Sequence, residues 1–190
     1  CFLQAEEGIR YLVRARGLGD VYKRQGSFAE KAANVLAGVR KSIKSLGEDV
    51  GLLRQKEESG LKKESINEGN WVEDPFAKFG NSPDRFGTEA NIYLNKDGIT
   101  VTKLNSAVKY DTWDDFIKSI SIHNTLFPNE AYTLKGFTNL SGDFSAIVEQ
   151  PVIRGTEATF EEVKSDMEQR GFTHIPVSYT HLTLPTNNLV

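Results

Sequence analysis

The sequence predicts an α+β fold in which an antiparallel sheet carries one covering helix. The first sign is a period of two: Ala90, Ile92 and Leu94 alternate with Glu89, Asn91 and Tyr93, which puts the apolar three on one face of a strand. Asn95-Lys96-Asp97-Gly98 follows, with Asp-Gly suited to the positive φ of a tight hairpin, and Ile99, Val101 and Lys103 then share one face of a second strand. The second sign is a change to steps of three and four between residues 112 and 126, where Trp113, Phe116, Ile117, Ile120 and Ile122 suit a helix capped by Asp111 or Thr112. A further hairpin follows, with strands over 131–138 and 144–149 and a turn over 139–143.

The remaining elements frame this centre. From Phe28 the apolar positions Phe28, Ala32, Val35, Leu36, Val39, Ile43, Leu46, Val50 and Leu53 recur at helical spacing, with Ser27 and Glu30 placed as a capping box. Such a stripe serves a coiled-coil partner or packs on neighbours upstream, and the packing role is the expectation. Residues 55–70 are polar and charged, a helical tail that ends in a linker near Gly69. Pro128 closes the helix from Thr112. After Pro151, Thr159-Phe160-Glu161-Glu162 forms a second capping box, opening a helix that runs to Arg170 and stops at Gly171.

Both ends read as translated DNA tools. Residues 177–186, Val-Ser-Tyr-Thr-His-Leu-Thr-Leu-Pro-Thr, resemble a translation of the transposon end and linker used in transposase-based sequencing libraries. Residues 16–25 resemble the opposite adapter, and residues 4–10 a flow-cell primer. Residues 1–25 and 177–190 are therefore expected to be adapter-derived and not to pack on the rest. That leaves a helical segment and linker over 26–70 and the α+β unit over 71–172.

Charge and composition exclude several functions. The chain carries 23 Lys+Arg and 26 Asp+Glu, a net of −3, and residues 26–176 carry 18 and 23, a net of −5. This is no basic nucleic-acid footprint, and it gives no support for an anionic membrane surface as partner. The one cysteine is Cys1, so residues 26–176 have neither a disulfide framework nor a cysteine-ligated zinc site, which fits a cytoplasmic protein. No run reaches the roughly 18 apolar residues of a membrane-spanning helix.

Lys103 is the sharpest chemical candidate. It lies two residues after Val101, so the period of two puts an ammonium and a small apolar side chain on one strand face. The alternative is a lysine that snorkels from an apolar face. Gly87 opens the segment before the first strand, where backbone N–H groups could approach phosphates closely. The helix from Thr112 has no glutamate to partner Lys103, which leaves Asp111, Asp114 and Asp115, with Asp115 the choice and capping the competing role. His123 sits at the helix end, a candidate base or a dipole-favoured terminal histidine.

The order strand, strand, helix, strand, strand, linker, helix is that of a protein-kinase N-terminal lobe from its second strand, through the hinge, into the first helix of the C-terminal lobe. The chain resembles the Ser/Thr/Tyr kinase-like domain of bacterial polyvalent proteins, which phages and other mobile elements encode. The resemblance spans roughly 71–172. It rests on Gly87-Thr88-Glu89-Ala90-Asn91-Ile92-Tyr93, Val101-Thr102-Lys103-Leu104, His123-Asn124-Thr125-Leu126-Phe127-Pro128, Leu134-Lys135-Gly136-Phe137 and Val148-Glu149-Gln150-Pro151-Val152-Ile153. It implies phosphoryl transfer from ATP with Mg²⁺ in the full-length parent. Lys103 would hold phosphates and Gly87 would lie in the glycine loop. Ile92 and Val101 would sandwich adenine, and Glu149, Gln150 and Val152 would form the hinge at its edge. The catalytic aspartate and the metal-holding residues would lie beyond Phe172, so no catalytic or metal residue is expected here. The implied partners are a protein substrate and further domains of the same polyvalent protein. The competing reading is a non-catalytic interaction module that keeps the lobe shape without nucleotide.

Overall fold

The central hairpin forms where the alternation places it. In this computed structural model, which describes residues 27–43, 50–87, 89–156 and 158–172, β3 (Ala90–Leu94) pairs antiparallel with β4 (Thr100–Asn105). Asp97 closes the turn, accepting from the backbone N–H groups of Ile99 and Thr100 at 2.9 Å each, and Gly98 takes φ 68. The second hairpin, β5 (Thr133–Leu140) and β6 (Asp143–Pro151), is longer than its sequence suggests. Its turn shrinks from the expected 139–143 to Ser141-Gly142, both at positive φ (54 and 99), the pair that a two-residue type I′ turn demands.

The full sheet runs β1-β5-β6-β4-β3-β2, where β1 is Trp71–Val72 and β2 is Arg85–Phe86. All neighbours are antiparallel except β1 and β5. The two-residue strands at the edges are too short to show a period, so neither was expected. β1 docks through a close backbone approach: a β-carbon on Gly136, at the bulge in β5, would lie 1.9 Å from the Asn70 carbonyl oxygen.

Helices cover one face of the sheet. The helix α4 (Trp113–Leu126) begins at Thr112, whose hydroxyl accepts from the Asp115 N–H, and turns Trp113, Phe116, Ile117 and Ile120 inward. They meet Leu134, Phe137, Ala146 and Val148 in one core with Phe28, Ala29, Ala32 and Leu36 of α1 (Ser27–Ile43) and Leu61 of α2 (Val50–Asn67). The fully buried Trp113 makes edge contacts with Phe116, Phe137 and Phe144. The short helix α3 (Pro75–Phe79) lies on the other face, with Phe79 beside a smaller cluster of Val72, Tyr93, Leu104 and Ile147.

One expectation is corrected here. The stripe from Phe28 finds its neighbours inside the chain, and the polar stretch after Gln55 is half of an antiparallel helical hairpin. Lys31 near the start of α1 pairs with Glu68 after α2, while a β-carbon on Gly60 would come within 2.8 Å of Val35. Glycine at 60 thus permits a close helix crossing. The capping expected of the Ser27 side chain lies outside what is described, as does the separation expected of residues 1–25 and 177–190.

Backbone contacts divide the chain between Val152 and Ile153, and everything above belongs to the unit that ends at Val152. In the other unit, α5 (Phe160–Gln169) starts at the expected capping box, with the Glu162 carboxylate accepting from the Thr159 N–H at 2.7 Å, and is followed by Gly171 at φ 89. Among the described residues no helix is long and apolar enough to cross a membrane.

Candidate functional site

Strand register sorts the candidate residues by face. Ile92 lies opposite Lys103 and Leu94 opposite Val101 on one side of β4; Val148 lies opposite Lys103 and Gln150 opposite Val101 on the other. Ile92, Val101, Lys103 and Gln150 therefore share one face, the face whose far end lies under α4. Near β3 the same face is open, with Ile92 half-buried and Leu94 45% exposed. β4 itself is covered on both sides, which is why the lysine is buried and does not snorkel.

Lys103 is 9% exposed, and its ammonium donates to the Tyr132 hydroxyl at 3.2 Å while lying 4.9 Å from the centre of that ring. Among the described residues no carboxylate lies within salt-bridge distance of it. Burial without an anion lowers its pKa from 10.5 to about 8. Tyr132 is held from several sides. Its backbone N–H donates to Asn124 Oδ1 and its carbonyl accepts from Asn124 Nδ2, both at 2.7 Å. Its ring lies 4.4 Å from that of His123, and its hydroxyl shares a hydrogen bond with the Gln150 side chain. Gln150, 1% exposed, donates from Nε2 to the Glu130 carbonyl, which also meets His123 Nε2 at 3.1 Å. Desolvation is the main cause that lowers the His123 pKa and raises that of Tyr132, the latter to about 12. His123, half-buried with Nε2 on the Glu130 carbonyl and its ring on Tyr132, is placed as a packing group.

Gly87 closes the tight connection between β2 and β3, its N–H donating to the Ala90 carbonyl at 2.9 Å. A β-carbon there would sit 3.1 Å from that same oxygen. Beside the loop, Glu89 pairs with Lys109. The next connection, between β4 and α4, is fixed by Arg54, whose guanidinium donates to the carbonyls of Ser106, Ala107 and Tyr110 and lies 5.2 Å from the Trp113 ring centre.

Three sequence-derived candidates sit apart from Lys103. The acid chosen for it, Asp115, instead accepts from the Thr112 hydroxyl at 2.6 Å and pairs with Arg40 at 3.7 Å, because the N-terminal turn of α4 faces the helical hairpin. Glu149 projects to the opposite face and pairs with Lys135 at 3.0 Å. Val152 has its N–H committed to the Ile99 carbonyl at 2.8 Å. Sequence reasoning missed Tyr132 altogether. It lies within the strand expected over 131–138 but carries no signal of its own there, and its link to Lys103 depends on how β5 returns beside β6. Among the described residues, no group of three or more His, Cys, Asp or Glu side chains could hold a metal ion.

No curated protein and no solved structure matches this chain. The family model for serine/threonine/tyrosine kinases found in polyvalent proteins matches residues 54–184, a span that takes in most of α2 together with the whole sheet. By that match, over most of its length, the chain belongs to the family of serine/threonine/tyrosine kinases found in polyvalent proteins.

Proposed function

We propose that residues 71–152 supply the nucleotide-binding lobe of an ATP-dependent protein kinase-like domain. The observation that carries the reading is a buried lysine with no carboxylate partner among the described residues. A desolvated cation of this kind gains most from a polyanion brought to it. The residues also fit the rest of the nucleotide. Ile92 and Leu94 extend an open apolar surface from Val101 for a ring, and Gly87 keeps side-chain bulk out of the loop that would approach phosphates. Gln150, on the same face beside Val101, would border the ring, whereas Glu149 and Val152 could contribute only through backbone groups that the ladder leaves over. Bound ATP would supply the phosphoryl group. Lys103 would fix its phosphates through placed charge.

The catalytic base and the Mg²⁺ ligands are assigned to no described residue, so this chain by itself is proposed to bind nucleotide weakly and to transfer no phosphate. The parent would be a cytoplasmic polyvalent protein of a phage or other mobile element, acting on a protein substrate beside further domains of its own chain, without nucleic acid or membrane as partner.

One observation favours a second reading, a non-catalytic interaction module: Asp115, the acid expected to hold Lys103, is committed to Arg40 and Thr112. Calorimetric titration of the parent protein with Mg-ATP separates the two. Saturable heat is expected, and its absence at millimolar nucleotide would leave the interaction module standing.

A further inference from the structure

We propose that Tyr132 is the positioning residue for Lys103, taking the place of a carboxylate, and that His123 and Asn124 serve to hold Tyr132. The inference rests on the nucleotide reading of the same site. Its geometry is independent of that reading. Among the described residues the phenol oxygen is the hydrogen-bond acceptor the ammonium meets, at 3.2 Å, and the ring adds a cation–π contact at 4.9 Å. Asn124 pins the backbone of Tyr132 on both sides with two bonds of 2.7 Å, and His123 packs on its ring. The His-Asn-x-x-Phe-Pro segment, conspicuous in the sequence but without an assigned chemical role, thus has a physical use. It ends α4, turns the chain through Pro128–Glu130, and delivers Tyr132 beneath the sheet.

The consequence concerns how the lysine is controlled. Tyr132 immediately precedes β5 and is itself pinned by His123 and Asn124 of α4, so Lys103 is held by a residue tied to sheet and helix alike. The phenol also leaves the cation's charge uncompensated. The titratable groups whose charge acts on this cluster are Glu89 and Tyr110, through Tyr132, and Glu130, through His123.

The test uses the 190-residue chain. Lysine ¹³Cε–¹⁵Nζ NMR gives the titration midpoint of Lys103, assigned through Lys103→Met, in wild type, Tyr132→Phe and Asn124→Ala, and ATP affinity is measured on the same three proteins. Losing the hydroxyl acceptor lowers the midpoint by about one pH unit, and ATP affinity falls about tenfold. Asn124→Ala moves both in the same direction, by less. A midpoint unchanged in Tyr132→Phe overturns the proposal, as does unchanged ATP affinity where the wild type binds ATP. If the midpoint moves and the wild type binds no ATP, the positioning role stands and the nucleotide reading falls.

Discussion

The carboxylate of Glu57 on α2 accepts the backbone N–H of Trp113, at the first turn of α4, at 2.8 Å. Glu57 is 0% exposed, and its second oxygen, Oε1, has no hydrogen-bond partner among the described residues. Burial is the main cause that raises its pKa from 4.5 to about 7; the Trp113 N–H and the charge of Arg40 oppose it, and Asp114 and Asp115 add to it. The folded protein therefore favours the protonated form. Its contribution is fully present below pH 4.5 and is lost as pH rises through 7, a difference on the order of 2–3 kcal/mol. Denaturant melts across that window should show the fall in wild type and a flatter profile in Glu57→Gln, which keeps the acceptor for Trp113. Parallel profiles would exclude Glu57 as the source.

Gly136 admits no side chain. The nearest atom to an added β-carbon is a backbone oxygen, which cannot rotate away, so Gly136→Ala must push β1 off β5. A loss of about 3 kcal/mol or more is expected from urea unfolding. A loss under 1 kcal/mol would mean that the contact between Asn70 and β5 is looser than described.

The Trp113 contacts predict where the core is most sensitive. Trp113→Ala removes a fully buried ring that touches three phenylalanines and donates from Nε1 to Glu58 at 3.0 Å. It should cost about 3–5 kcal/mol. Phe86→Ala, at a side chain 74% exposed, should stay within about 0.5 kcal/mol in the same assay.

Asp114 and Asp115 should behave differently although they are neighbours. The nearly buried Asp114 pairs with Arg40 at 2.9 Å and Lys118 at 2.6 Å, whereas Asp115 is about half exposed and meets Arg40 at 3.7 Å. Asp114→Asn should cost about 1–3 kcal/mol and Asp115→Asn less than about 1 kcal/mol. Neither should move the Lys103 titration. A shift in Asp115→Asn alone would restore Asp115 as the partner of Lys103.

These contrasts show which parts of the fold were legible in the sequence. The β3–β4 hairpin could be read because alternation and Asp97-Gly98 agree, and α4 because its inward side chains and the Thr112 cap agree. The caps at Thr112 and Thr159 rest on bonds within three residues, where spacing alone decides. The helical hairpin was not legible in the same way. α2 buries Leu61, Glu57 and Ser65 and has no apolar stripe, so its inward face is invisible to periodicity. In the candidate site, the common face of Val101 and Lys103 followed from period two, and the strand register adds Ile92 to it. Which group meets the ammonium did not, because Tyr132 and Lys103 are joined only through the β5–β6–β4 ladder. Asp115 was chosen for its charge and its helix, and the direction in which the first turn of α4 faces set it against Arg40.

The measurement closest to the central claim compares ATP with adenosine on the parent protein, in wild type and in Lys103→Met. Methionine keeps the length and apolar stem of the side chain and removes its charge, so ring binding should survive while phosphate binding suffers. The account predicts an ATP affinity lowered about tenfold or more, an adenosine affinity unchanged, and phosphoryl transfer sharply reduced. Equal ATP affinity in the two proteins, with activity indifferent to the substitution, would contradict it.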